Sequence, residues 1–438
     1  MTDRSSFAAD AMRWCDRWYD DEASLLWNPE GAYDEVAPPR TIHLVPQSAW
    51  YAAGLVERGD VERAADVFRR LCTLQYDQPG TIWHGTFARF AESEQPKPGA
   101  IEWIDYDPNW RQFLGTTFSL VMAQFPDALP SDVTDAMRAA IDLAIAGEPP
   151  ERVPPSYSNI ALMRAWLEVE HGDAERRAAA ESYASEVVAL FDEFGAFEEY
   201  NSPTYYGIDL YALALWARHS SSDALRRDGG RIEEAVWNDV ARWWHAGLVN
   251  LCGPWSRSYG MDMRTYAALL GLWIGPEAYP DLDAPFEHSH DTTFAPMVGL
   301  VGSAIPAGVE DALGTFPGEH EVEQVVTSGR TATGWLSDDV MFGGEAGGPY
   351  PARGQYHPAT AHWRGGWLRV RHEQPIDATA SAGALTVRPR GSGTATIIVS
   401  GDPSGAVEAT ADGSSVELRA DGKVKLDGVT EFVVRARG

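Results

Sequence analysis

Two carboxylates, an amide and three phenols crowd into nine residues of this chain, Glu198-Glu199-Tyr200-Asn201-Ser202-Pro203-Thr204-Tyr205-Tyr206. Carboxylates and phenols can move protons at a reacting carbon or oxygen, and an amide can orient what they act on. A long helical pattern stops at Phe194-Gly195, and Ser202 followed by Pro203 has the character of an N-cap and first helical residue. A helix that starts there turns backbone N–H groups and the positive end of its dipole toward an anion. Capping accounts for Ser202 and Pro203. It does not account for Glu198, Glu199, Tyr200 and Asn201 standing beside them, so a site is expected here.

Other stretches carry candidates of the same kind. In Trp103-Ile104-Asp105-Tyr106-Asp107-Pro108-Asn109, Asp107-Pro108 reads as another helix start, which leaves Asp105, Tyr106 and Asn109 for other work. His84, between Trp83 and Gly85 on a loop, suits acid–base chemistry better than a histidine on an apolar helix face. Arg257-Ser258-Tyr259-Gly260-Met261-Asp262-Met263-Arg264 offers two guanidiniums that can grip a carboxylate, or that pair with Asp262 at a helix end. His357 and His362 lie near glycine-rich sequence. Glu287-His288-Ser289-His290-Asp291 can chelate, but its spacing is not that of a zinc-enzyme helix, so neither metal nor cofactor is expected. The chain has no phosphate-cradling glycine loop, no G-x-S-x-G elbow and no nucleophilic cysteine context.

The elements that must position these groups are helical up to about residue 315. Apolar residues recur at i, i+3, i+4 and i+7 over 45–57, 61–74, 110–124, 131–146, 158–170, 175–194, 205–219, 232–251 and 261–273. Pro and Gly punctuate the pattern, and one helical hairpin falls about every 45–50 residues, a cadence that suits a ring of helix pairs. After about residue 320, short alternating runs at 386–388, 394–399, 406–410, 416–419, 423–426 and 431–434 are separated in part by Asp412-Gly413 and Asp421-Gly422, a hairpin signature. Gly343–Gly348 and Gly365-Gly366 read as loops at the transition. The expectation is a mainly α fold: an (α/α) toroid over residues 1–320, then a smaller antiparallel β-sandwich or sheet over 321–438.

Composition narrows the partners. With 64 acidic and 35 basic side chains the net charge is −29, a field that repels nucleic acid and anionic membranes. The 17 Trp and 16 Tyr fill a core or stack on sugar rings. Met1 leads straight into an amphipathic pattern without an apolar signal region, and no run approaches the length of a membrane span. Cys15, Cys72 and Cys252 are too scattered for a disulfide framework. These features predict a cytoplasmic protein that takes a saccharide or small-molecule substrate, with a homodimer allowed.

The central segment resembles the stretch of heparinase II/III-like and related alginate lyases that runs Asp-Gly, Glu, Ser-x-x-Tyr-His, then an aromatic and leucines. The counterparts here are Phe194-Gly195, Glu198 or Glu199, Ser202-Pro203-Thr204-Tyr205-Tyr206, and Leu210-Tyr211. The resemblance implies a helical toroid followed by β-sheets, a catalytic base or acid at Tyr205, a substrate-carboxylate ligand at Asn159, and a β-domain histidine at His357 or His362. Tyr206 stands where the family has His, Phe194 where it has Asp, and Asn159 lacks the family's neighbouring His.

Two mechanisms follow. The first is β-elimination on a uronic-acid saccharide, with Tyr205, His84, Glu199 and Asp105 as catalytic candidates. Asn159, Asn201, Tyr206, Glu198, Trp83, Tyr106, Arg257, Tyr259 and His357 are then the candidates for binding. The second is hydrolysis by a carboxylate pair, Asp105 or Asp107 with Glu198 or Glu199, which needs no anionic substrate. A non-catalytic carbohydrate-binding protein is the third reading, disfavoured by the convergence of titratable groups.

Overall fold

The computed structural model describes residues 4–29 and 40–437. They form two compact units, one of residues 4–29, 40–188, 208–233 and 267–304, the other of 189–207, 234–266 and 305–437. The fold is mainly helical, with antiparallel β-structure at the C-terminal end of the chain.

The first unit is built from α1 (Arg4–Asp16), α2 (Val45–Glu57), α3 (Val61–Cys72), α4 (Trp110–Gln124), α5 (Ser131–Ala146) and α6 (Ser158–His171). To these are added most of α7 (Ala174–Phe194) and α8 (Tyr205–His219), the start of α9 (Asp223–Trp243), and the short helices α10 (Leu269–Ile274) and α11 (Ala295–Val301). Their sequences sort them into two rows. The helix α3 is amphipathic and buries Ala64, Ala65, Val67, Phe68 and Leu71 on one stripe. By contrast α2 buries every residue from Val45 to Val56, as a helix packed on all sides must. The inner row runs α2, α4, α6, and the Trp216 indole donates to Leu162 O at 2.8 Å to bring α8 alongside α6. Phe294 then closes the circuit: its ring lies 4.9 Å from Trp50 of α2 and 5.3 Å from Tyr211 of α8. Burial of each such aromatic stabilises the ring by about 2–3 kcal/mol. Among the described residues no helix is long and apolar enough to cross a membrane.

The second unit contains two packed antiparallel sheets. Its strands are β1 (His320–Thr327), β2 (Arg330–Leu336), β3 (Val340–Ala346), β4 (Ala359–Trp363), β5 (Gly366–Arg371), β6 (Ile376–Ser381), β7 (Ala384–Pro389), β8 (Thr394–Ser400), β9 (Val407–Ala411), β10 (Ser414–Val416), β11 (Lys423–Asp427) and β12 (Phe432–Ala436). One sheet has the order β11-β8-β5-β4-β3-β2-β1, the other β6-β7-β12-β9-β10. Alternate residues such as Leu368 and Val370, Ile376 and Ala378, and Ala395 and Ile397 point into the shared core.

Several local expectations change. Gly343 and Gly344 belong to strand β3 rather than to a loop. A Cβ at Gly343 would fall 1.8 Å from the carbonyl carbon of Gly253, and one at Gly344 would fall 2.7 Å from that of Ala378. Both glycines are there for close backbone approach on the two faces of the strand. The helix expected over 232–251 ends at Trp243 and gives way to a hairpin of Trp244–His245 and Asn250–Leu251. Over 261–273 only Leu269–Ile274 is helical.

Candidate functional site

Ser202 organises the cluster in the second unit. Its Oγ accepts the Tyr205 backbone N–H at 2.9 Å, the expected capping bond, and donates to the carbonyl of Arg257 at 2.6 Å. One hydroxyl therefore fixes both the start of α8 and the loop that carries the arginine. Asn201, in a left-handed backbone conformation at φ 46°, donates from its amide to Cys252 O and Pro254 O, both at 2.8 Å. Ser256 Oγ donates to Tyr200 O, and Trp255 exchanges two backbone bonds with His357. The loop is thus bound on both sides before it reaches Arg257.

Arg257 is aimed by three acceptors. Nη1 donates to Glu199 Oε1 at 2.8 Å, Nε to Gln355 Oε1 at 3.1 Å, and Nη2 to the Tyr205 phenol oxygen at 2.7 Å. The Tyr205 and Tyr259 oxygens are 2.8 Å apart. Glu199 is buried, Tyr205 and Arg257 are partly exposed, and Tyr259 is exposed. A guanidinium that donates to a phenol oxygen favours negative charge on that oxygen, because it supplies a cation and a hydrogen bond together. The arrangement can hold a phenol ready to give or take a proton at a solvent-facing surface.

Beneath it lies a buried charge network. Tyr200, fully buried, donates to Glu345 at 2.5 Å, and Arg330 Nε donates to the same carboxylate at 3.0 Å. Burial, then the Glu345 charge, pushes the Tyr200 phenol well above its ordinary range, so it stays a neutral donor. Tyr206 is also interior and donates to Asp239 at 2.7 Å. Of the segment's groups, Tyr205 and the exposed Glu198 face solvent, whereas Tyr200, Asn201 and Tyr206 hold the scaffold.

His357 and His362 sit inside this unit against Trp255, their ring centres 6.0 and 5.1 Å from its own. Each donates from Nε2 to a backbone carbonyl, Ser258 O at 3.2 Å and Met261 O at 2.9 Å. Burial pushes His357 down to about 3 and His362 down to about 4, so both are neutral near pH 7.

The remaining candidates belong to the first unit. His84 accepts the Gln78 N–H on Nδ1 at 3.1 Å, which leaves its proton on Nε2. Trp83 and Tyr106 are buried with ring centres 5.7 Å apart. Asp105 is exposed and caps Ile101 N at 2.7 Å. Asp107 accepts the Asn109 N–H at 2.9 Å, and burial raises its carboxyl to about 6. Asn109 in turn donates to Tyr157 at 3.0 Å and accepts from Arg152 at 3.0 Å. Asn159 is fully buried in the first turn of α6. The structure brings Glu199, Tyr205, Arg257 and Tyr259 together in the second unit, and Trp83 and Tyr106 together in the first. Gln355 escaped sequence reading, because nothing in its own neighbourhood signals a partner 98 residues away.

Fold and site define a class: a ring of helical hairpins followed in sequence by a two-sheet antiparallel domain, with a tyrosine–arginine–carboxylate cluster. The chain belongs to the family described as "Domain of unknown function (DUF8769)", which matches residues 5–303. Comparison with curated proteins finds no match. Among solved structures, the chain is similar to one titled "Crystal Structure of Heparinase III", at 10% identity over 99% of this chain and 84% of that one, with a TM-score of 0.44.

Proposed function

We propose that the chain is a carbon–oxygen lyase that cleaves a uronic-acid-containing oligosaccharide or glycoside by β-elimination, with Tyr205 moving the proton. The observation that carries this reading is the Arg257 Nη2 to Tyr205 oxygen contact of 2.7 Å at a partly exposed surface. In the reaction the phenolate takes the proton next to the substrate carboxylate. The C–H electron pair becomes a C=C bond, the bond to the leaving oxygen breaks, and that oxygen takes the proton back from Tyr205, directly or through Tyr259, which restores the base. Arg257 places a positive charge beside the Tyr205 oxygen, where negative charge develops, and Glu199 and Gln355 hold Arg257 in place. Tyr259, 2.8 Å from Tyr205, is placed to relay a proton.

Elimination leaves a C=C conjugated with the carboxylate, so a screen of oligouronides and neutral glycosides read by ultraviolet absorbance tests the reading directly. Tyr205→Phe keeps the ring and removes the proton carrier, so turnover is expected to fall by roughly 10²–10⁴-fold with folding intact. Full activity in that variant sinks the assignment.

The carboxylate-pair reading has one observation in its favour, the Asp107 carboxyl raised to about 6, a value suited to a general acid. New reducing ends without ultraviolet absorbance, and a nearly dead Asp107→Asn variant, would establish it. No turnover on any saccharide would favour a binding protein.

A further inference from the structure

The segment that closes the helical ring also gathers metal-binding side chains. His288 adopts a left-handed backbone conformation, φ 55° and ψ 34°, which a non-glycine residue enters at a cost of about 1 kcal/mol or more. The turn is held by the Asp291 N–H donating to His288 O at 3.0 Å, and by Thr293 Oγ1 donating to His290 O at 2.7 Å. One turn further on, Phe294 is seated between Trp50 and Tyr211. These contacts hold the backbone around the trio.

The consequence is a three-sided set of ligand atoms. His288, His290 and Asp291 each present one, and all lie within 4.8 Å of one another. His290 Nε2 and Asp291 Oδ1 are 3.5 Å apart, close to the roughly 3.3 Å that separates two ligands of one tetrahedral zinc with bonds near 2.0 Å. The two imidazole rings stand 5.4 Å apart at 57°, so they can point at one centre from different directions. His290 and Asp291 are buried and His288 is partly exposed, which leaves small rotations of the His288 ring to close the set and a solvent side for a fourth ligand.

We propose that His288, His290 and Asp291 form a binding site for a divalent transition cation, with zinc the best match. Two imidazoles and one carboxylate are a borderline donor set that favours zinc over the hard, oxygen-seeking calcium and magnesium. The ion clips the ring-closing segment in its left-handed turn and takes no part in the elimination proposed above. The H-x-H-D spacing fails the test of a helical zinc motif because the residues are carried on a tight turn, where neighbours in sequence can share a centre.

The test uses the full chain, stripped by dialysis against chelator, then titrated with zinc by calorimetry and with cobalt(II) by visible absorption. One equivalent of zinc is expected to bind, cobalt is expected to give the intense visible bands of a low-coordinate site, and zinc at a hundredfold excess over its dissociation constant is expected to raise Tm by about 3 °C. His288→Ala and Asp291→Asn should each weaken zinc by roughly tenfold or more. His288 is partly exposed, so His288→Ala also serves as the folding control, its metal-free Tm expected within about 3 °C of the wild type. Failure to bind a stoichiometric ion at 100-micromolar zinc (on the order of a weak site) overturns the proposal. So does wild-type zinc affinity in both variants, which would place the ion on other residues.

Discussion

Arg257 meets Tyr205 twice: Nη2 donates to the phenol oxygen at 2.7 Å, and the guanidinium carbon lies 3.9 Å from the centre of the same ring. The face contact is worth about 0.5–1 kcal/mol at a partly exposed site, and the charged hydrogen bond about 1.5–3 kcal/mol. Ser202 sets the distance, since its hydroxyl bonds to the backbone of both residues.

Arg257→Lys keeps the charge but gathers its donors on one nitrogen, so it loses the fork that reaches Gln355, Glu199 and Tyr205 from three nitrogens and the planar group that lies on the ring. Turnover of an eliminated substrate is expected to fall by about 10²-fold or more, in the range of a lost electrostatic donor. Tm should move by only a few degrees. A lysine variant with wild-type kcat/KM would show that the guanidinium geometry is irrelevant to the chemistry.

Asn201→Ala strips Cys252 O and Pro254 O of their donor and places alanine in a left-handed conformation that asparagine tolerates better. Two buried carbonyls left unsatisfied cost about 2–4 kcal/mol together. Urea unfolding should register that loss, along with a drop in activity as the Arg257 loop loosens. A midpoint within error of the wild type would remove Asn201 from the scaffold.

Gly343→Ala pushes a methyl into the Gly253 carbonyl, 1.8 Å away before any movement. Overpacking of this kind costs about 1–3 kcal/mol, and the displaced loop is the one that carries Arg257. Expected together are a lower Tm and reduced turnover; a neutral variant would mean that the loop shifts without consequence.

The two units should respond oppositely to acid. His357 and His362 are depressed to about 3 and about 4, so between those values and the unfolded value near 6.5 the unfolded chain binds more protons. Stability of the second unit therefore falls as pH drops below about 6.5, by up to about 1.4 kcal/mol per pH unit for each histidine. Asp107, raised to about 6, works the other way. Between about pH 4 and 6 the folded state binds the extra proton, so this contribution is present at low pH and lost as pH rises through 6. Asp107→Asn keeps the acceptor for the Asn109 N–H and is expected to gain on the order of 1 kcal/mol at pH 7 after allowance for solvent screening. Thermal melts from pH 4 to 8 of Asp107→Asn and His357→Gln check both signs; slopes unchanged from the wild type would refute them.

Much of this protein could be read from its residues in order. The helices Val45–Glu57, Trp110–Gln124, Ser131–Ala146 and Tyr205–His219 fall where the apolar period places them, and Ser202 caps as its type and position suggest. Those are local matters: a 3.6-residue period, a proline at a first turn and a hydroxyl three residues from an orphan N–H are all decided within one stretch of chain. The change to short strands after about residue 320 was legible for the same reason, through turn residues and β-branched runs.

Tertiary structure decided the rest. The strands β3 and β4 are buried on both faces, so their residues do not alternate and carry no period-two signal. Trp244, Leu248 and Leu251 look helical because all are apolar, but they are buried in a hairpin and its turn, a choice made by what packs on them. The site itself is long-range. Arg257 reaches Glu199 across 58 residues and Gln355 across 98, and sequence spacing holds no information about which of the chain's other arginines and carboxylates would meet. Residue types named the chemistry that was possible; only the packing of loop 252–258 onto β3 and the start of α8 selected which tyrosine received a guanidinium, because charge interactions act through space and not along the chain.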